Sequence, residues 1–362
     1  MVNSVLAAVF HGKDETIELK QTPVPALTPG GVLVRVRCCT LCGSDIHTVD
    51  GRRSAPVPLI LGHEILGDIV EIGGDAPVFD YRGQPLEIGQ RVTWSVAVHC
   101  GDCFYCQHEL PQKCVNLLKY GHTSLDAPNP LTGGLSEYCQ LMPGTTFLPV
   151  PPELPDEIAC PANCATATVV AAMRLAGDCA DAAILIHGAG MLGLTACALG
   201  RTRGAASVIV SDPDPLRREI AQRFGATVCV GSDDTSELAQ AVAEATAGRG
   251  VDAALDFSGA TDAMSTGLDL LRTGGRLVLV GAVFPVPALP ISPETVIRRM
   301  LTIHGLHNYA PVDLADAITF LTDYSDRFPF GELVARTFPL MAVNEAFEYA
   351  ARERPFRVAI RP

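Results

Sequence analysis

Four cysteines fall within one short stretch, Cys100-Gly-Asp-Cys103-Phe-Tyr-Cys106 and, after seven more residues, Cys114. Thiolates at this spacing on a tight loop can converge on one tetrahedral zinc ion at about 2.3 Å, and four sulfurs leave no position for water. This lobe, residues 95–118, is expected to hold a structural zinc. A second set is spread along the chain: Cys42-Gly-Ser-Asp-Ile-His47, then Gly62-His63-Glu64, then Pro161-Ala-Asn-Cys164. Cys42, His63 and Cys164 would give two thiolates and an imidazole, with Cys160 as the reserve ligand and Glu64 as an adjacent carboxylate. Three ligands and one open position make a catalytic zinc pattern, in which the ion is a Lewis acid that lowers the pKa of a bound hydroxyl. Ser44 lies two residues from the Cys42 thiolate and is placed to take a proton from a substrate alcohol. His47 can pass that proton outward, and Asp45 suits an acceptor for the imidazole that binds the metal.

A third signal is Ala182-Ala-Ile-Leu-Ile-His-Gly188-Ala-Gly190-Met191-Leu192-Gly193, a GxGxxG run directly after an apolar strand and before a helix. Its glycines permit a tight turn and bring a pyrophosphate close to the helix N-terminus. Asp212 follows nineteen residues later, at the end of the next strand-like run. A carboxylate there accepts from the ribose hydroxyls of NAD and repels the extra phosphate of NADP. Arg217 and Arg218 stand close by and can accommodate such a phosphate, so NADP stays open as the lesser alternative.

The elements that must carry these residues change character along the chain. Up to about residue 160, short apolar runs such as Val32–Arg37 and Ile65–Val70 are broken by prolines and glycines, the grammar of a β-rich domain. From Pro161, strand and helix signals alternate: strands at Ala182–His187, Ser207–Asp212, Asp252–Phe257 and Arg276–Gly281, with helices from Gly190 and over Pro215–Phe224. That alternation predicts a parallel sheet with crossover helices, a Rossmann-type doubly wound fold. The expected division is 1–160, 161–308 and 309–362, the last part containing a helix at Val312–Thr322 and a closing strand at Phe356–Ile360.

Composition limits the function further. The 362 residues are 48% apolar and 19% charged, enough for two large cores and against global disorder. The net charge of −13 and the lack of a dense Lys/Arg run argue against nucleic acid as a partner. No apolar run reaches the ~18–20 residues that span a bilayer, and the first ten residues lack the basic segment of a signal peptide, so no membrane association and a cytoplasmic location are expected. Thirteen cysteines in a chain of this size read as metal ligands and reduced core thiols rather than as a disulfide frame.

Together these motifs resemble the zinc-dependent alcohol dehydrogenases of the medium-chain dehydrogenase/reductase superfamily over nearly the whole chain. The resemblance implies an α/β two-domain protein: a GroES-like, largely β catalytic domain built from both chain ends, with a Rossmann NAD-binding domain between. It implies that Cys42, His63 and Cys164 bind the catalytic zinc, with Glu64 able to approach the metal. It further implies that Ser44 and His47 relay the proton, that Thr168 touches the nicotinamide, and that the chain forms a homodimer or homotetramer. Strand-like Arg276–Gly281 and apolar Val283–Leu289 are the segments expected to help an edge-to-edge dimer. The family's basic residue after the first zinc cysteine is Gly43 here, so one pyrophosphate contact is missing or supplied elsewhere.

Finer wording, including Asp45–Arg53, Leu110–Cys114, Lys119-Tyr-Gly-His122 and Pro161–Thr168, is similar to the alcohol dehydrogenases associated with phosphonate metabolism. That likeness implies a small phosphonate-bearing alcohol or carbonyl as substrate. Arg52 and Arg53, five and six residues after His47, suit a tetrahedral oxyanion because a guanidinium pairs with it in bidentate fashion. Lys119 and His122 can close over the same region. The expected reaction is reversible hydride transfer between NAD(H) and an alcohol/carbonyl pair. The alternatives are a polyol or amino-alcohol dehydrogenase of the same superfamily and, further off, a non-catalytic protein that binds zinc and NAD. A zinc-finger nucleic-acid binder is disfavoured by the acidic balance.

Overall fold

The computed structural model describes residues 3–362 and divides into two compact units. The first contains the residues up to Ala167 together with Ala310–Asp326 and Phe330–Pro362, and the second contains Thr168–Tyr309 with Arg327–Pro329.

The first unit is built on a seven-stranded sheet. Its order runs Phe147–Pro149, Arg91–Trp94, Glu64–Ile72, Val32–Thr40, Arg357–Arg361, Val334–Pro339, and Tyr138–Leu141 also pairs with Val32–Thr40. A three-stranded sheet of Glu18–Pro23, Ser4–Phe10 and Leu59–Ile60 accompanies it. Val34 and Val36 point into the core, while Arg35 and Arg37 point outward, where both pair with Asp68. An irregularity in the pairing between Val36 and Cys38 resets the register, so that Thr40 lies opposite Glu64. Arg357–Arg361 pairs on the other side of the same strand, with Ala359 opposite Thr40. The core beneath gathers Trp94, Tyr120, Phe147, Ile60 and Leu131, all buried. Each such side chain stabilises the fold by about 1.5–3 kcal/mol.

The second unit has six strands, all parallel, in the order Val228–Val230, Ser207–Ser211, Ala183–His187, Val251–Asp256, Leu271–Leu279, Thr302–Gly305. Ala183–His187 and Ser207–Ser211 are buried at every position, as strands covered on both faces must be. Asp214, Asp234 and Ser292 cap three of the helices by accepting backbone N–H bonds with their side chains. The strand order reverses direction between Ala183–His187 and Val251–Asp256, and a crevice outside the carboxyl ends of the strands at such a point is where doubly wound sheets take ligands.

Two details differ from the sequence-based expectation. The first unit keeps residues 161–167, because the buried Asn163 donates to the carbonyls of His63 and Trp94 and accepts from Ile65 N, tying that turn to the first unit's sheet. The segment Arg276–Gly281 is not an edge: Leu271–Leu279 is paired on both sides, and the short Thr302–Gly305 strand closes that end of the sheet.

Candidate active site

Cys42 is the N-cap of the Gly43–Val49 helix, and Asp45 in the first turn accepts the Cys42 backbone N–H at 2.9 Å. The other Asp45 oxygen accepts from His63 Nδ1 at 3.2 Å and from Gly62 N at 3.4 Å. One buried carboxylate therefore orients two ligands, and it leaves the His63 Nε2 lone pair free to bind a metal. Cys164 follows the Cys160–Asn163 turn that Asn163 fastens to the His63–Ile65 backbone. The ligand atoms of Cys42, His63 and Cys164 all lie within 4.8 Å of one another. The Cys42 thiol is held well below its ordinary value, first by its hydrogen bond with Cys164 and then, against burial, by the Arg357 guanidinium and His63. The same hydrogen bond, with burial, holds the Cys164 thiol well above its ordinary value, and it is the clustering of two sulfurs and an imidazole that fits a zinc with one position left open.

Cys160 and Glu64 are engaged elsewhere. The Cys160 thiol donates to the carbonyls of Cys38 and Glu64 at 3.2 and 3.1 Å, and it is not one of the three clustered donors. The Glu64 carboxylate takes a bidentate pair of 2.7 Å bonds from Arg357 and a 2.6 Å bond from the Thr40 hydroxyl. Burial pushes this carboxyl up to about 7 against the pull of Arg357. Arg357 also reaches the Cys42 sulfur at 3.7 Å. Neither Arg357 nor Asn163 is singled out by the sequence reading, and the available signal was an arginine at each end of the otherwise apolar Arg357–Arg361 strand.

Ser44 Oγ stands 3.4 Å from His63 Nε2, beside the open position, and His47 lies one helical turn further along. Burial, followed by the Arg52 charge, lowers the pKa of His47. The four cysteines of the second cluster also assemble. Cys114–Cys100, Cys103–Cys106 and Cys100–Cys106 sulfurs are 3.4, 3.5 and 4.0 Å apart. Four sulfurs at 2.3 Å from a tetrahedral centre stand about 3.8 Å from one another, whereas a disulfide needs about 2.05 Å. Cys100 N and Asn116 N both donate to the Cys114 sulfur at 3.3 Å, fixing its position in the cluster.

The cationic residues separate into two groups. Arg52 points away and pairs with Asp50 at 2.6 Å on the surface. Arg53 instead donates to His122 Nε2 at 2.6 Å, and the His122 ring lies 5.0 Å from the His63 ring. Lys119 stands in the His122 loop, its carbonyl accepting from His122 N, and burial, followed by the Arg53 charge, lowers its pKa.

In the second unit, Gly190 caps the Met191–Thr202 helix and Gly188 adopts φ +93°. A Cβ on Gly193 would stand 1.8 Å from the Gly188 carbonyl oxygen, so the turn closes only with glycine there. Asp212 ties the loop in place: one carboxylate oxygen accepts from Ala189 N at 2.7 Å, the other from Asp214 N at 2.9 Å. Each oxygen keeps a second lone pair for a ribose hydroxyl. The Arg217 guanidinium lies over Gly190, 3.7 Å from where a Cβ would be. Arg218 turns away to the carbonyls of Asp212 and Pro213. Thr168 sits in the Ala165–Ala176 helix, at the start of this unit. Gly193→Ala should weaken NADH binding at least tenfold while both zinc ions are retained. Unaltered affinity in a fluorescence titration would mean that the loop does not hold the dinucleotide.

Both halves of the chain match known families. Residues 28–152 match the alcohol dehydrogenase GroES-like domain and residues 192–323 the zinc-binding dehydrogenase domain. The chain is 30% identical over 336 residues to a 5-exo-hydroxycamphor dehydrogenase of Pseudomonas putida, covering 92% of each. It is 32% identical over 296 residues to an L-threonine 3-dehydrogenase of Thermococcus kodakarensis, covering 80% of this chain and 78% of that one. An alcohol dehydrogenase from Thermotoga maritima superposes with a TM-score of 0.93 at 27% identity, over 99% of both chains. Sequence, fold and the clustered donors agree, and the chain belongs to the zinc-dependent alcohol dehydrogenases of the medium-chain dehydrogenase/reductase superfamily, oxidoreductases that act on CH–OH donors.

Proposed function

We propose that this dehydrogenase interconverts a small alcohol and its carbonyl partner with NAD(H), and that the substrate carries an oxyanion group, a phosphonate first among the candidates. The observation that carries this reading is the Arg53 guanidinium held on His122, whose ring lies beside His63 of the Cys42–His63–Cys164 cluster, with Lys119 three residues from His122 in the same loop. Among the described residues no carboxylate pairs with Arg53, in a chain whose net charge is −13. An anion meeting such a surface needs a local cationic site, and a guanidinium with an ammonium supplies one.

Cys42, His63 and Cys164 would hold the catalytic zinc, which would supply a Lewis acid for the substrate oxygen, and the Gly188–Gly193 loop with Asp212 would hold the nicotinamide cofactor, which would supply the hydride chemistry. Ser44 Oγ takes the hydroxyl proton of the alcohol, and His47 carries it towards solvent. Asp45 keeps His63 in the tautomer that ligates through Nε2. Arg53 and Lys119 hold the charged end, which turns a collision into a fixed geometry at the reacting carbon. Asp212 favours NAD over NADP, since its carboxylate occupies the ground a 2′-phosphate would need. The free thiols suit a reducing, cytoplasmic compartment. The exposed Ile297 and Met300 beside the Thr302–Gly305 edge suit a dimer.

A second reading, an amino-alcohol substrate, draws on the L-threonine 3-dehydrogenase relatives; a carboxylate would then occupy Arg53. Turnover of oxoalkylphosphonates, of threonine and of neutral aldehydes of equal length separates the two. Arg53→Ala should raise KM for the phosphonate at least tenfold more than for the neutral aldehyde. Equal effects on both would remove the oxyanion from the reading.

A further inference from the structure

His122 makes two hydrogen bonds whose partners leave it one protonation state. Its Nδ1 faces the Tyr120 carbonyl at 2.9 Å, which can only accept, so that nitrogen carries the proton. Its Nε2 faces Arg53 Nη1 at 2.6 Å, which can only donate, so that nitrogen offers its lone pair. The imidazole is neutral and serves as the acceptor that fixes a guanidinium. Burial, the neighbouring His63, Lys119 and Arg53 all oppose its protonation.

The surrounding backbone is tightly set. Gly121, at φ +69°, packs so closely on Gly62 that a Cβ there would stand 2.4 Å from the Gly62 carbonyl oxygen, which holds the His122 loop against the His63 strand. Gly121 N also donates to Thr132 O, and His122 N to Lys119 O. Arg53 N in turn donates to the His47 carbonyl at the end of the Gly43–Val49 helix. Three segments therefore meet at one ring, and a single imidazole separates the ring that ligates metal from the guanidinium.

We propose that His122 is a positioning residue: it holds the Arg53 guanidinium one ring's width from His63, and thereby selects substrates whose oxyanion is joined to the carbinol by a short spacer. The inference rests on the oxyanion reading given above. A bidentate guanidinium rewards only an anion that arrives at its fork, and a fixed fork converts that demand into a limit on length.

The test uses the zinc-loaded enzyme with NAD and two variants, His122→Phe, which keeps a ring and loses the acceptor, and His122→Gln, which keeps an acceptor. Methylphosphonate binding is followed by calorimetry, and kcat and KM are measured for oxoalkylphosphonates with spacers of increasing length. His122→Phe is expected to weaken methylphosphonate about tenfold, to raise KM for the short phosphonate more than it lowers kcat, and to flatten the length preference. His122→Gln should recover most of that loss. Wild-type affinity in His122→Phe, equal impairment of both variants, or a native enzyme indifferent to spacer length would overturn the proposal. Arg53→Ala distinguishes the two levels. If it too leaves methylphosphonate binding intact, the oxyanion reading itself falls; if it abolishes binding while His122→Phe does not, only the positioning role falls.

Discussion

Cys42→Ser protein should purify with one zinc per chain in place of two, and its dehydrogenase turnover should fall by about a thousandfold or more. Lewis-acid stabilisation is worth several kcal/mol, and each 1.4 kcal/mol is a factor of ten in rate. A serine hydroxyl does not ionise at neutral pH and is a hard donor, so the remaining Cys164 and His63 are left as a two-ligand site. The loss should be specific, because the Cys100, Cys103, Cys106 and Cys114 sulfurs share no ligand with Cys42 and will retain their ion. Metal analysis and a steady-state assay on the same preparation check both halves of the statement. Two tightly held zinc ions with undiminished turnover would mean that Cys42, His63 and Cys164 are a packed cluster and not a metal centre.

The legible part of this protein was the part written in residue types that have few other uses. Clustered cysteines and a GxGxxG run after a strand specify their chemistry at short range, and their folded positions follow. The parallel sheet was legible for the same reason, since uninterrupted apolar runs such as Ala183–His187 alternate with helices, whereas the order of its strands was not. What the spacing does not encode is where a side chain turns once it arrives. Arg52 and Arg53 are adjacent and chemically identical, yet one pairs with Asp50 on the surface and the other with His122 beside the site. The turn after the helix, in which Arg53 N donates to the His47 carbonyl, carries the two side chains to these different partners. Glu64 is a similar case. Its place next to His63 suggests a metal neighbour, and it does lie beside the Cys42 sulfur through Arg357, but the partner that claims its carboxylate comes from the far end of the chain.

That partner carries the second large effect. Glu64 is fully buried and Arg357 is 5% exposed, and they meet through two 2.7 Å bonds. Arg357→Met should destabilise the protein by about 3 kcal/mol, because two charge-assisted bonds are lost and Glu64, already pushed up to about 7, takes up a proton with only the Thr40 hydroxyl left to answer it. The pair itself contributes far less than this loss suggests, since both charges gave up their hydration to enter the interior. Glu64→Leu combined with Arg357→Met should therefore recover most of the stability, and the interaction energy from the double-mutant cycle should approach the summed cost of the two single changes. Denaturant midpoints of the four proteins, with zinc at saturation throughout, give the cycle directly. Additive losses would show that Arg357 stabilises the fold through its packing on the Arg357–Arg361 strand and not by neutralising Glu64. A non-additive recovery, with turnover still depressed in the double variant, would instead show that the pair is retained for the electrostatics it sets beside the Cys42 sulfur, where the guanidinium stands 3.7 Å away.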